Sequence, residues 1–385
     1  MKLRVAFTGG GTGGHVYPAL AIDDALRAAY PPGDYEARFF GNRHGLEAAL
    51  VTTMPLTFVP SAPLQRSFSF STLRTIVANT AGVVLALGAL ARFKPNSVVA
   101  TGGYVCFPVV VAARILRVLR ILHAPIALLE INVTPGLTNR IVLPLVDEVW
   151  TTYAASQEAF GHKAVLTGAP VRASLTLVKD GPSARERLDL DPDRTTVVVI
   201  GGSQGARSVN EAVAALVTRR TLGPDWQVLH VSGERDYVYM QAEERELAPG
   251  NHVRLVPYLD DPADAYAAAD AVVARAGAST LAELAVTGTP AVLVPYPHAA
   301  DQHQAVNAAL FAESGAAVVL DDAEVDGDRL WWALREVLEP DRNAAMRRAA
   351  RSLAPRNAAA AIVARIERAL APRVGGVPDA NVDQP

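Results

Sequence analysis

Short apolar runs alternate with longer amphipathic stretches along the first half of the chain. Strands are predicted at residues 3–7, 36–40, 97–100, 126–129 and 147–151. Apolar residues at helical spacing predict helices between them, at residues 18–29, 46–51, 72–92 and 107–119. Because strands that alternate with helices form βαβ units, the pattern predicts a parallel α/β domain.

The same alternation returns in the second half, so the fold class predicted is α/β with two Rossmann-like domains. Strands are expected at residues 196–200, 227–231, 253–256, 271–274 and 291–294. A chain of 385 residues is long enough for two cores. The predicted divisions are a first domain, a polar linker, a second domain, an Ala/Arg-rich helical segment and a disordered tail, at residues 1–170, 171–194, 195–343, 344–371 and 372–385.

Two glycine-rich turns follow the first strand of each half, at residues 8–15 and 201–206. A strand, a bare-backbone turn and a helix N-terminus present N–H groups and the positive end of a helix dipole. One such turn is common in α/β proteins. Two of them, one in each half, predict two nucleotide-binding folds that face each other across a cleft, a shape suited to a phosphate-bearing donor and a separate acceptor.

Composition excludes several classes of protein. The formal net charge of -3 gives no reason to expect nucleic acid as a partner. Cys106 is the single cysteine, which rules out a disulfide within the chain and fits a reducing compartment. The apolar run near residue 1 is too short for the hydrophobic region of a signal peptide. Residues 76–91 fall short of the ~20 that a spanning helix needs, and we interpret them as a buried or half-buried helix.

The first turn fits the dinucleotide-binding fingerprint only in part. Gly9, Gly11 and Gly14 have the required spacing, but the second strand ends without the acidic residue that binds ribose. His15 follows directly, at a helix N-terminus whose dipole lowers the pKa of an imidazole. A neutral imidazole beside a phosphate cleft can act as a general base. From the residues alone, His15 is either that base or a helix cap.

Two strand ends in the second half carry further candidates. The 201–206 turn offers backbone N–H groups and the Ser203 hydroxyl, or is a tight turn without a ligand. Thr280 and Glu283 have the spacing of a capping box, and from this spacing alone helix capping is the favoured role of Glu283. The alternative for Glu283 is that its carboxylate accepts two ribose hydroxyls.

Polar residues also follow strands elsewhere. Glu130 and Asn132 come after a first-half strand, where the cleft edge of a parallel sheet lies, although turn hydrogen bonding explains them equally. A cluster of amides, carboxylates and histidines spans residues 298–307 and suits a hydroxyl-rich sugar. His298 and His303 lie five positions apart on a predicted loop. We therefore expect no metal site.

A membrane-facing surface is predicted around residues 64–77, where apolar and aromatic residues are interleaved with arginines. Residues 114–120 form a second basic and apolar segment. The alternative is an ordinary helix with its apolar stripe inward and its arginines in solvent.

Eight segments together resemble the MurG family of peptidoglycan glycosyltransferases, which make lipid II by adding N-acetylglucosamine (GlcNAc) to lipid I. They run in family order at residues 9–18, 41–47, 101–105, 135–139, 168–172, 201–207, 275–283 and 301–307. The resemblance implies a GT-B fold and an inverting transfer that uses no metal or cofactor. It also implies UDP-GlcNAc as donor, lipid I as acceptor, and a peripheral position on the cytoplasmic face of the cell membrane.

The resemblance assigns roles by position. His15 becomes the leading base, with Glu130 as the second candidate. Glu283 would hold the ribose, the backbone near Leu259 the uracil, and Gln304 the hexosamine. The remaining implied substrate contacts are Thr12, Gly13, Gly14, Asn132, Arg172, Ser203, Ala278, Ser279 and Thr280.

The chain departs from the family pattern on the acceptor side. Leu129 and Ile131 replace polar residues around Glu130, and residues 105–108 replace a Ser-Gly-containing run. A GT-B transferase with another lipid acceptor, such as diacylglycerol, is the alternative. A nicotinamide-dependent oxidoreductase and a non-catalytic sugar-nucleotide-binding module are further alternatives, against which the second glycine turn and the set of His15, Glu283 and Gln304 argue.

Overall fold

A computed structural model describes residues 2–63, 70–177, 179–202, 205–223, 225–243 and 247–370 of the chain. Within these ranges the two halves form two parallel sheets of seven and six strands, each with helices on both faces. The two-domain α/β architecture predicted from the alternating pattern is confirmed.

The first sheet has the order β3-β2-β1-β4-β5-β6-β7. Apolar strand residues fill both faces, because helices cover both sides of a parallel sheet. Its strands are β1 (Leu3–Thr8), β2 (Tyr35–Gly41), β3 (Leu56–Phe58), β4 (Ser97–Ala100), β5 (Ile126–Glu130), β6 (Glu148–Thr151) and β7 (Ala164–Leu166). The accompanying helices are α1 (Gly13–Ala29), α2 (Glu47–Leu50), α3 (Phe70–Phe93), α4 (Cys106–Val118) and α5 (Leu137–Val142). The connecting segment forms α6 (Ala173–Thr176) and α7 (Gly181–Arg187), which pack against helices of the second domain.

The second sheet has the order β10-β9-β8-β11-β12-β13. Its strands are β8 (Thr195–Ile200), β9 (Trp226–Val231), β10 (Val253–Val256), β11 (Ala271–Ala274), β12 (Ala291–Leu293) and β13 (Ala317–Val319). Its helices are α8 (Arg207–Arg219), α9 (Glu234–Glu243), α10 (Ala263–Ala268), α11 (Ala278–Thr287), α12 (His303–Glu313), α13 (Gly327–Val337) and α14 (Pro340–Ser352). The last helix is α15 (Ala358–Leu370).

The helical segment predicted as continuous over residues 344–370 is two helices, α14 and α15. Pro355 lies between them, and proline disfavours helical backbone in the residue before it. After this break α15 returns to the first sheet, where Ile362 and Ile366 pack in the same apolar cluster as Val16 and Ile22 of α1. Arg365 of α15 also pairs with Glu148 of β6. The C-terminal helix therefore joins the two domains, while the predicted domain boundaries stay a prediction.

The prediction that α1 begins at residue 18 is wrong, because the helix starts at Gly13 and carries Pro18 inside it. The glycines at positions 13 and 14 therefore form the first turn of α1 rather than a preceding loop. The first backbone N–H groups of α1 lie at the cleft, and α11 of the second domain packs against α1. Both domains thus meet at the N-terminus of this helix.

Candidate active site

Two cavities lie in the cleft between the sheets, on either side of the N-terminus of α1. The first has a volume of about 290 Å³ and is lined from the first domain by Gly13, Gly14 and Tyr17. Residues of the second domain complete it, together with Arg172 of the connecting segment: Gly202, Tyr258, Leu259, Pro262, Ser279, Thr280 and Glu283.

Glu283 is the carboxylate of the first cavity. Its Oε2 atom accepts a hydrogen bond of 2.8 Å from the hydroxyl of Tyr266. Burial raises the pKa of Glu283, and the Tyr266 hydrogen bond and the charge of Arg172 oppose this shift. The capping box favoured by spacing is wrong: α11 begins at Ala278 after Gly277, so Thr280 lies inside the helix and no side chain caps it.

Ser279 faces Gly14 across the domain interface. Its buried Oγ atom has no hydrogen-bond partner among the described residues. A Cβ atom at Gly14 would lie 3.5 Å from this oxygen, so α1 and α11 approach closely here. A buried hydroxyl without a partner is costly, and a ligand with hydrogen-bonding groups would satisfy it.

Three side chains close the first cavity across the domain interface. The Arg172 guanidinium stacks on the ring of Tyr17, 4.3 Å from its centroid. The Tyr17 hydroxyl lies 3.2 Å from the hydroxyl of Tyr258 in the second domain. Burial and this hydrogen bond raise the pKa of Tyr258 to about 12, so its phenol stays protonated at neutral pH.

The second cavity has a volume of about 420 Å³ and lies mainly on the first domain. The second domain contributes Ala300, Asp301 and His303 to its wall. The first domain contributes a histidine, a tyrosine, a carboxylate and the loop that follows β5: His15, Pro63, Gly103, Tyr104, Glu130, Asn132 and residues 136–139.

His15 is held in one tautomer. Its Nδ1 atom lies 3.0 Å from the carbonyl oxygen of Thr101. Because a carbonyl only accepts, Nδ1 carries the hydrogen and Nε2 is left as the acceptor. Burial lowers the pKa of His15, while the nearby Glu130 carboxylate raises it. A neutral imidazole with an available Nε2 can take a proton from an acceptor.

Two glycines make room for the His15 ring. Gly102 and Gly103 have φ values of 98° and 82°, which favour glycine. A Cβ atom at Gly102 would lie 2.7 Å from His15 Nδ1, and one at Gly103 would lie 3.0 Å from its Cδ2. The turn after β4 therefore fixes the imidazole against the sheet edge.

Glu130 is buried, and four donors surround its carboxylate. Oε1 accepts hydrogen bonds from the backbone N–H and the Nδ2 of Asn132, both at 3.0 Å. Oε2 accepts from the Gly136 N–H at 3.2 Å and from Asn139 Nδ2 at 2.8 Å. These bonds fold the 130–139 loop around the carboxylate and occupy both of its oxygens.

Amides join the domains beside this loop. The Oδ1 atom of Asn132 accepts a 3.1 Å hydrogen bond from Asn307 Nδ2, and Asn307 Oδ1 accepts one of 3.0 Å from the Val133 N–H. Asn307 is buried in the second turn of α12. The oxygen of the Gln304 side chain accepts from the Tyr296 N–H at 2.9 Å.

Most of the residues expected in a substrate site lie on one of the two cavities, but some do not. Gln304 lines neither cavity, and neither do Thr12 or Ala278, although Thr12 is the N-cap of α1. Ser203 lies outside the described residues. Sequence reasoning missed three tyrosines that the geometry brings to the site: Tyr17, Tyr258 and Tyr266. Their positions depend on contacts between segments remote in sequence.

Candidate metal ligands are dispersed. Over the part of the chain that the structure describes, no group of three His, Cys, Asp or Glu side chains is placed to hold a metal ion.

Family models match both domains of the chain. The glycosyltransferase family 28 N-terminal domain matches residues 5–151, and the family 28 C-terminal domain matches residues 196–364. Among solved structures, the chain is similar to MurG of Acinetobacter baumannii, with a TM-score of 0.74, 25% identity, and coverage of 95% of this chain and 99% of that one. A calicheamicin glycosyltransferase shares the fold at a TM-score of 0.66 and 16% identity, covering 97% of this chain and all of that one. The chain is a glycosyltransferase of the GT-B fold.

The names of similar proteins identify one family within this class of glycosyltransferases. Proteins of Moorella thermoacetica and Desulfitobacterium hafniense are each 40% identical to the chain, over 94% and 91% of it and 97% and 95% of their own lengths. Both are named UDP-N-acetylglucosamine–N-acetylmuramyl-(pentapeptide) pyrophosphoryl-undecaprenol N-acetylglucosamine transferase. The chain belongs to the MurG family, which confirms the resemblance found in its motifs.

Proposed function

We propose that this protein transfers GlcNAc from UDP-GlcNAc to the C4 hydroxyl of N-acetylmuramic acid in lipid I, with inversion and without a metal. One observation carries the proposal. Gly14 lines the first cavity and His15, the next residue, lines the second. A donor in the first cavity and an acceptor in the second would therefore meet at the N-terminus of α1, within reach of a base.

The first cavity takes the donor in this proposal. Glu283 accepts the ribose hydroxyls, since Tyr266 occupies one side of its carboxylate and holds it in place. Ser279 supplies the unpartnered hydroxyl, and the Leu259 segment contacts the base. Arg172, stacked on Tyr17, offers its positive charge to the diphosphate. Ser203 in the second glycine turn stays a predicted diphosphate contact.

His15 removes the proton from the acceptor hydroxyl through Nε2. The hydroxyl oxygen then attacks the anomeric carbon of GlcNAc, and UDP leaves from the opposite face. Glu130 is a positioning residue rather than the base, because four donors already saturate its two oxygens. Its negative charge stabilises the imidazolium that forms, as a buried carboxylate does behind a catalytic histidine.

The leaving diphosphate gains negative charge in this step. Backbone N–H groups at the starts of α1 and α8, which follow the two glycine turns, are arranged to stabilise it. Such donors are fixed before the reaction, and losing one typically costs ~10²–10³ in rate.

The residues at which the chain departs from the family pattern do not line the second cavity. Leu129 and Ile131 are buried in the apolar cluster that contains Val16, and Cys106 is buried with its thiol directed at backbone carbonyls. Neither they nor Cys106 line the cavity. This supports lipid I over diacylglycerol as the acceptor.

Because lipid I is held in a membrane, the protein must also contact the membrane. Helices α3 and α4 expose a protein surface suited to this contact. Among the described residues α3 contains the single segment long and apolar enough to cross a membrane, Leu73–Phe93. It instead packs on α4 through Ala86, Leu90 and Phe93. Its other side exposes Leu73, Ile76, Val77, Val84 and Leu85. The end of α4 and the residues that follow it expose Ile115, Val118, Leu119 and Ile121.

Arginines flank this apolar surface. Arg74 lies on α3, and Arg114, Arg117 and Arg120 lie on and just after α4. Apolar side chains next to cations bind the interface of an anionic membrane. We propose that this face, called the α3–α4 face, docks peripherally on the cytoplasmic leaflet; residues 64–69, part of the predicted surface, lie outside the described residues.

The test is transfer of labelled GlcNAc from UDP-GlcNAc to a short-chain lipid I analogue, with EDTA present and diacylglycerol as a parallel acceptor. A lipid II analogue formed in EDTA supports the acceptor and the metal-free step. Transfer to diacylglycerol alone, or no transfer while UDP still binds, overturns the assigned reaction but keeps the donor site.

A further inference from the structure

A third cavity, behind the donor side of the cleft, is lined by positively charged side chains. It has a volume of about 170 Å³ and lies between α6, α10, the end of α11 and α14. We call it the basic cavity, and its cations are Lys179, Arg347, Arg351 and Arg356. Hydroxyls of Ser174, Thr287 and Thr289 complete the wall. None of these residues has a role in the transfer described above.

Carboxylates around the basic cavity are too few to neutralise it. Asp264 pairs with Lys179 at 2.9 Å, but it also pairs with Arg187. Asp270 lies 3.9 Å from Arg347 and is shared with Arg185 at 2.9 Å.

The other two cations, Arg351 and Arg356, have fewer carboxylates near them. A third acid nearby, Asp261, accepts the hydrogen bond of the Ser174 hydroxyl. Within the described ranges, Arg351 and Arg356 have no carboxylate partner. The cavity therefore carries an excess of positive charge.

The surroundings of Arg347 destabilise the charged form of its guanidinium. Burial lowers the pKa of its guanidinium, and the charges of Arg351 and Arg185 lower it further, against the opposing effect of Asp270. Like charges gathered in a partly enclosed space destabilise one another, and a bound anion would offset their repulsion. Guanidinium forks and hydroxyls are the groups that bind the oxygens of phosphate.

The basic cavity is physically connected to the first cavity. Tyr266 lines the basic cavity, and its hydroxyl donates to Glu283 in the first. Helix α11 links the same two places, since Ser279 and Glu283 lie in its first turns and Thr287 ends it. A ligand that orders Tyr266 and the end of α11 would therefore act on the carboxylate assigned to the donor ribose.

We propose that the basic cavity binds a phosphate group, and that its occupation changes the affinity of the first cavity for the donor. The group comes from free phosphate or from the headgroup of an anionic phospholipid. The binding itself is independent of the proposed function, and only the coupling to the donor rests on it.

Calorimetric titration of the full chain with inorganic phosphate at constant ionic strength tests the proposal. UDP is kept saturating so that phosphate cannot enter the first cavity. The variant R351Q/R356Q removes the two unpaired cations, and R219Q/R348Q removes the same charge from exposed positions that do not line the cavity. We expect phosphate to bind the unaltered chain and the control, and R351Q/R356Q to bind it at least about tenfold more weakly, since hydrogen bonds to charged groups are strong.

A second arm measures sedimentation with phosphatidylglycerol vesicles and identifies the source of the phosphate group. Because the α3–α4 face is also proposed to bind vesicles, both charge pairs are tested on top of L73Q/I76Q/V77Q. Weaker vesicle binding with R351Q/R356Q than with R219Q/R348Q, without binding of inorganic phosphate, supports the headgroup. Equal behaviour of both variants in both arms overturns the site.

Initial rates with and without phosphate then test the coupling. The KM for UDP-GlcNAc should shift with phosphate in the control and stay constant in R351Q/R356Q. Phosphate binding without any shift in either variant contradicts the coupling. If the chain binds phosphate as expected but transfers no GlcNAc, the proposed function fails while the anion site stands.

Discussion

The Nδ1 atom of His15 lies 3.0 Å from the carbonyl oxygen of Thr101, at the edge of the sheet where the two cavities meet. This bond presents Nε2 to the second cavity. Replacing His15 with alanine should lower kcat by ~10²–10⁴, the usual contribution of a general base, and leave the KM for UDP-GlcNAc nearly unchanged. Steady-state kinetics with the lipid I analogue measures both values. His123→Ala, at an exposed position, is the matched control, and a near-normal kcat in His15→Ala removes His15 from the base role.

The pH profile distinguishes the roles of His15 and Glu130. Burial lowers the pKa of His15, so kcat/KM should rise at a pH below ~6.5, the ordinary value for histidine, and then stay level through pH 7. Glu130 raises the pKa of His15, so Glu130→Gln should move this acidic limb to lower pH. The variant should retain part of its activity. Loss of activity as deep as in His15→Ala would instead identify Glu130 as the base.

Glu283 should control donor binding. Because its carboxylate is assigned to the ribose hydroxyls, Glu283→Ala should weaken UDP binding roughly 10- to 100-fold, the range for hydrogen bonds to a charged group. Calorimetry with UDP measures the effect directly. Tyr266→Phe removes only the bond that holds the carboxylate and should cost less. Unchanged UDP binding in Glu283→Ala would separate this residue from the ribose.

The same residue predicts a dependence of stability on pH in the absence of donor. Burial raises the pKa of Glu283 above its value in the unfolded chain. The unfolded chain therefore ionises first, and Glu283 destabilises the fold increasingly as the pH rises from the unfolded pKa to the folded one. Relative to the unaltered chain, Glu283→Gln should therefore become more stable as the pH rises, and its advantage in Tm should increase between pH 4 and pH 7. A difference that shrinks over this range would show that the carboxylate is stabilised in the fold.

The α3–α4 face should bind anionic vesicles. Leu73, Ile76 and Val77 are 65%, 54% and 61% exposed on one side of α3. Burying one such side chain contributes about 1.5–3 kcal/mol, so the variant L73Q/I76Q/V77Q should bind at least about tenfold more weakly in a sedimentation assay. The control V238Q/V319Q/W332Q removes exposed apolar residues elsewhere. Equal loss in the two variants would exclude a specific docking face.

Much of the fold could be predicted from the sequence because the central strands are buried on both faces. Their apolar runs are continuous, as at Val98–Ala100 of β4 and Val272–Val273 of β11. The strands β3, β7 and β13 were missed, since each has three residues and lies at a sheet edge, where alternation is too short to detect. The start of α1 was missed because glycine has a low helix propensity and Pro18 is typical of a first helical turn.

Motifs that follow strands predicted candidate residues that the structure brings to the two cavities, as for His15, Glu130 and Glu283. Spacing favoured capping for Glu283 and was wrong, because the outcome depends on where α11 begins. Nor could it identify Tyr266 as the partner of Glu283, since that hydroxyl arrives from another helix. The contact between Tyr17 and Tyr258 joins two domains, and no local pattern marks it.

The most direct test of the account is the structure of the product. The chain should be incubated with UDP-GlcNAc and the lipid I analogue, and the released disaccharide examined by NMR for the linkage position and the anomeric configuration. The account predicts GlcNAc joined in the β configuration to the C4 oxygen of N-acetylmuramic acid, because a single displacement inverts the α-linked donor. An α linkage, or attachment at another hydroxyl, would contradict the single displacement with His15 as base.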